Sequence, residues 1–80
     1  MANHIATITA YPIKEENGGG FRGVFFLRST KERRASDRFD TLEAAKYWAQ
    51  MQAHEAYDEI GYALAPIRRK GEYLANVWVA

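Results

Sequence analysis

Phe39-Asp40-Thr41-Leu42-Glu43-Ala44-Ala45-Lys46-Tyr47-Trp48-Ala49 takes this chain from a strand-like stretch directly into a helix. Asp40 reads as the N-cap, and Glu43, three residues on, can reach back to the Asp40 N–H in a capping box with Asp in the Ser or Thr place. Projected at about 100° per residue, Thr41 to Ile60 lines up Leu42, Ala45, Ala49, Ala53, Ala56 and Ile60 on one stripe. A stripe so rich in alanine lets a helix lie close to a sheet whose facing side carries bulky Phe25 and Leu27. Trp48 flanks the stripe and is expected to seal its border. Gly61 follows as the C′ residue, where left-handed backbone commonly ends a helix.

Working back from the helix, Arg33 to Phe39 (RRASDRF) reads as a short polar strand after a turn at Thr30 to Glu32. Phe21 to Ser29 (FRGVFFLRS) alternates more clearly. Phe21, Gly23, Phe25 and Leu27 fall on one face, expected to meet the core, and Arg22, Val24, Phe26 and Arg28 on the other. Before it, EENGGG (Glu15 to Gly20) supplies residues that tolerate positive φ. This glycine run lacks the lysine and hydroxyl of a phosphate loop and no helix follows it, so it reads as a hairpin connection. The first strand, His4 to Lys14, is rich in Ile, Thr and Tyr, and Pro12 marks an edge position or the strand's end.

Forward of the helix, Tyr62 to Arg68 and Glu72 to Val79 read as a hairpin turning at Lys70-Gly71, although the first arm can also extend the helix. The expectation is an α+β domain spanning residues 1–80: an antiparallel sheet of four to five strands, in the order β-β-β-α-β-β, packed on one long helix. No repeat, low-complexity tract or linker interrupts it, and it reads as a complete protein of one domain. Trp78 and Val79 either close the sheet internally or offer an edge to a second copy, so a homodimer is one expected state.

Composition narrows the functional classes. At 80 residues the chain has room for one modest core, and 48% hydrophobic with 14% aromatic residues is enough for that core to form. The absence of cysteine removes disulfides, thiolate nucleophiles and cysteine zinc sites, and suits a reducing, cytoplasmic setting. No stretch approaches the roughly 20 apolar residues of a membrane span, and the N-terminus lacks the pattern of a secretory signal. Charge is nearly balanced at +1 but unevenly placed: Arg28, Lys31, Arg33, Arg34 and Arg38 crowd one stretch, and Glu55, Asp58 and Glu59 gather late in the helix.

Catalysis has little to work with. His4 and His54 lack recognisable partner motifs, and His54 with Asp58, four apart, has no third metal ligand and reads as a solvated pair. No cofactor is expected. The outward side of the helix is richer: Tyr47, Met51, His54, Glu55 and Asp58 project away from the alanine stripe and form a candidate partner-binding face. Acids near a helix C-terminus oppose the macrodipole, so Glu55, Asp58 and Glu59 need compensation from Arg68, Arg69 or a partner. The alternative site is nucleic-acid binding by Arg22, Arg28, Lys31, Arg33, Arg34 and Arg38, with Phe26 available for stacking; Glu32 and Asp37 interrupt that basic stretch.

The order strand, polar turn, short basic strand, then Phe39, Thr41, Ala44, Trp48 and Ala49 resembles the small N-terminal arm-binding domains of tyrosine recombinases over roughly Phe21 to Gln52, with Glu43 one residue early for the pattern. That resemblance implies a three-stranded sheet entering the DNA major groove through Arg22, Arg28, Arg33 and Arg34. In size and form the chain is also similar to small phage-encoded accessory proteins, anti-CRISPR inhibitors among them, which occupy a surface on a larger nucleoprotein machine. The expected activity is non-catalytic docking on a protein or nucleoprotein complex, with no membrane association, and DNA binding by the sheet is the alternative.

Overall fold

Small and β-branched residues at alternate positions of β1 (Asn3–Pro12) suit it to the middle of a sheet, and Ala6, Ile8 and Ala10 are fully buried there. The computed structural model describes residues 2–80, the Arg68 side chain excepted. β2 (Phe21–Leu27) pairs with one side of β1 and β5 (Glu72–Val79) with the other; β3 (Arg33–Ala35) and β4 (Ala63–Arg69) form the two edges. The five strands run in the order β3-β2-β1-β5-β4, every neighbour antiparallel. The architecture is therefore the α+β arrangement expected, with five strands and one helix, α1 (Leu42–Tyr57).

Helix α1 lies on the face to which Ala6, Ile8, Phe25, Ala75 and Val77 point. Ala45, Ala49 and Ala53 have no exposed surface, so the small-on-large packing read from the stripe is realised between α1 and the sheet. Gly23 is part of the fit: a Cβ there would lie 2.6 Å from the Ala45 carbonyl oxygen.

Several local expectations are corrected. Thr41, not Asp40, is the N-cap, its hydroxyl accepting from the Ala44 N–H at 3.1 Å; Asp40 instead pairs with Arg38 at 2.6 Å. Glu43 therefore completes no capping box with Asp40. The helix stops at Tyr57 rather than Ile60, where the Gly61 N–H turns back to the Tyr57 carbonyl. Ala56 and Ile60 are exposed, and Tyr57 takes the buried line instead, its ring 6.3 Å from that of Phe25. β3 ends at Ala35 because the chain leaves the ladder at Ser36, with only an isolated bridge between Phe21 and Phe39 beyond it. The Ala63–Arg69 arm is a strand and does not extend the helix, and β5 closes the sheet from within, between β1 and β4.

The glycine connection holds a single 3-10 turn at Glu15–Asn17, after which Gly18, Gly19 and Gly20 take φ of 106°, 65° and 77°, values that L side chains resist. At the other end of β1 the register slips between His4 and Ala6, leaving Ile5 as the extra residue of a bulge. The slip returns His4 to the side of Thr7, away from the helix, where their side chains are 3.3 Å apart.

Candidate functional site

The helix is one element on a sheet of five strands and cannot cover them all. α1 packs across β1 and β2 and reaches β5, while β4 stands clear of it. By register, Leu64 opposite Val77 and Pro66 opposite Ala75 share the helix-side face, so this part of β4 is left without a helix above it. The result is a groove between α1 and β4, lined by Tyr47, Gln50, Met51 and His54 on one wall and Tyr62 and Leu64 on the other.

Three of the sequence-derived contact residues thus meet in one place. Tyr47 stands at the lip with 64% of its surface exposed. Met51 is half-buried below it. His54 Nδ1 lies 3.1 Å from the Tyr62 hydroxyl and 3.6 Å from Asp58, which braces the wall-to-wall contact. Glu55 and Asp58 are exposed and lie outside the residues that line the groove, Asp58 adjoining it through His54. At the opposite end Gln50 donates to the Tyr73 hydroxyl at 3.2 Å and the Lys46 ammonium lies 5.0 Å above the Tyr73 ring. Beyond that end lies a separate, open pocket lined by Lys46, Arg69 and Lys70 together with Glu72 and Tyr73.

Tyr62 and Leu64 were not among the residues singled out from the sequence. Their alternation with Pro66 is a legible signal that they share one face, and Pro66 itself points to an edge strand. What the sequence lacks is the distance of that edge from the helix.

The basic stretch does not form one patch. Arg34 turns to the helix side, its guanidinium 5.6 Å from the Phe25 ring centre and 3.7 Å from Glu32. Arg28 donates to the His4 carbonyl at 2.9 Å, and Arg38 donates to the Gly19 carbonyl at 3.1 Å as well as to Asp40. Lys31 occupies the β2–β3 turn with φ 62°. Only Arg22 and Arg33 remain together on the face away from the helix, because Phe26 pairs with Arg33 and lies two intervals from Arg22 along β2.

Burial raises the Tyr57 phenol above its ordinary 10.0; the nearby Arg34 pulls it down and Glu32 pushes it up, both by less. His4 stacks on Trp78, ring centres 5.2 Å apart. Among the described residues no group of three or more His, Cys, Asp and Glu is arranged to hold a metal, and no helix is long and apolar enough to cross a membrane. Searched against protein-family models, curated proteins and solved structures, the chain matches none.

Proposed function

We propose that this chain is a non-catalytic binding protein that docks on a larger macromolecular partner through the groove between α1 and β4, blocking or adapting that partner. One observation carries the reading: exposed Tyr47 stands with Met51 and His54 across from Tyr62, just before β4, and Leu64 of β4, an edge strand that the helix leaves uncovered. Aromatic and methionine side chains supply large contact area at interface centres, and Met adapts its shape to what it meets. The exposed helix carboxylates Glu55 and Asp58 bias encounter toward a basic surface, affecting association rate more than affinity. A host nucleoprotein complex, the kind of target that small phage-encoded inhibitors occupy, is the partner class to test first, since such an assembly offers both protein and nucleic acid.

The experiment places a photocrosslinking amino acid at Tyr47 or, as control, at Lys31, in cells that carry the gene. A partner crosslinked from position 47 and not from 31 is expected. Purified, it should bind Tyr47→Ala/Met51→Ala on the order of 100-fold more weakly than the parent, the loss of two central contacts. Equal affinity of the double variant and the parent would overturn the reading.

A further inference from the structure

We infer that the face of the sheet opposite α1 is a platform for single-stranded nucleic acid, with bases stacking on Phe26, Tyr11 and Trp78 and phosphates pairing with Arg22 and Arg33. This face is independent of the groove.

Strand parity defines it. The residues that meet the helix are Ala6, Ile8 and Ala10 of β1, Gly23 and Phe25 of β2, and Ala75 and Val77 of β5, so Thr7, Thr9, Tyr11, Arg22, Val24, Phe26, Leu74, Asn76 and Trp78 point the other way. Among the described residues the only α-helix lies on the first face; no helix covers the second, where Val24 is buried by its neighbours and the other residues named are half-buried. The bulge at Ile5 adds His4, which braces the Trp78 ring.

The cations here differ from those elsewhere. Arg28, Arg34 and Arg38 are each engaged by carbonyl or carboxylate oxygens, whereas Arg22 and Arg33 have no hydrogen bond or ion pair among the described residues, and the Arg22 Nε is shielded without an acceptor. Glu72 is the acid on this face, and it sits in register with Arg69 across β5 and β4, on the far side of β1 from β2 and β3. Glu43 and Glu55 lie on α1, on the other side of the sheet. A polyanion approaching β1, β2 and β3 on that face therefore meets Arg22 and Arg33, with the exposed Asp37 just beyond the end of β3 as the nearest acid along the chain.

Charge also argues against a second copy as the occupant. Face-to-face packing of two sheets would take the Arg22 and Arg33 charges and the Thr7, Thr9 and Asn76 side chains out of water. Those same groups can hydrogen-bond base edges. The aromatics are spread along the face: Phe26 is level with Thr7, and Tyr11 lies four residues further along β1, ~13 Å at the usual strand rise. Separate ring faces suit unstacked bases, whereas a duplex keeps its bases paired inside and presents none.

The test is fluorescence anisotropy of a labelled dT12 oligonucleotide from low to physiological salt. Binding is expected to weaken with salt at a log–log slope of about −1.4, the value for two phosphate contacts to a single strand. Arg22→Gln/Arg33→Gln should weaken it ~10-fold or more and flatten the slope, and Phe26→Ala should weaken it ~5-fold to 100-fold, the range for one lost base stack. Arg33→Gln alone, on the exposed edge strand, keeps the test interpretable if the double variant unfolds. Tyr47→Ala/Met51→Ala should bind dT12 as the parent does, so this proposal and the groove reading fail separately. Any of these would overturn it: no salt-sensitive binding by folded protein, equal binding of an abasic 12-mer, tighter binding of a duplex, indifference to the arginine substitutions, or self-association that Phe26→Ala abolishes.

Discussion

Gly23 and Trp48 are fitted so closely that a Cβ on Gly23 would lie 2.7 Å from Trp48 Cε3, with the Ala45 carbonyl oxygen at 2.6 Å on its other side. The missing side chain is what lets α1 settle onto β2. The helix backbone cannot yield locally as a flexible side chain would, so Gly23→Ala should push the whole element outward. We expect a loss of ~1–3 kcal/mol, the usual scale for overpacking, visible as a lower midpoint in thermal or urea unfolding.

Ser36 holds the same glycine from the opposite side. Its buried hydroxyl accepts the Gly23 N–H at 2.8 Å and donates to the Asp37 carbonyl at 2.7 Å, while the Ser36 N–H donates to the Gly23 carbonyl. Ser36→Ala strands a buried backbone donor and should cost ~1–3 kcal/mol. Ser36→Thr retains an acceptor and should recover part of that loss in the same unfolding assay.

Thr41 and Asp40 compete on paper for the helix start, and substitution separates them. Thr41→Ala removes the hydroxyl that accepts from Ala44 and should cost ~1 kcal/mol. Asp40→Ala breaks only an exposed ion pair with Arg38 and should change stability by ~0.5 kcal/mol or less. A larger effect at Asp40 than at Thr41 in chemical denaturation would contradict the assignment.

Tyr57 links stability to alkaline pH. Its folded-state phenol titrates above the unfolded value of 10.0, so the folded chain keeps a proton that the unfolded chain releases. Its contribution is intact below pH 10 and is lost as pH rises from there through the folded-state value. Unfolding free energies measured across that range should therefore fall more steeply for the parent than for Tyr57→Phe, which has no phenol to ionise at this position.

Much of the architecture is written in local pattern. Alternation placed β2, residue type placed β1, and the Lys70-Gly71 turn placed β5 with β4 as its partner or as a helix extension. The alanine stripe placed the covered side of α1, because period and burial are coupled wherever one face is dry and the other wet. The failures come where two local solutions compete. Asp40 and Thr41 are both good caps, and the nearby Arg38 drew Asp40 away. Ala56 and Tyr57 both border the stripe, and the wider reach of tyrosine to Phe25 decided which one packs. The groove was half legible: the helix wall showed as Tyr47, Met51 and His54, whereas the β4 wall depends on how far one helix spreads over five strands. The basic cluster was misleading as a cluster, since neighbours in a strand alternate sides and Arg33 and Arg34 are sent to opposite faces.

The pairing of β1 with β5 sets the order in which this molecule can be assembled. Its first and last strands are neighbours, joined from Asn3 opposite Val79 to Ala10 opposite Tyr73, so the ladder at the centre of the sheet spans nearly the whole sequence. A contact of that range carries a large loop-closure cost and favours slow folding. The meander β1–β2–β3 and its helix can gather first through short connections, leaving one edge of β1 open. During synthesis that edge waits for the final hairpin, and for that interval the nascent chain is a template for any other strand that reaches it first.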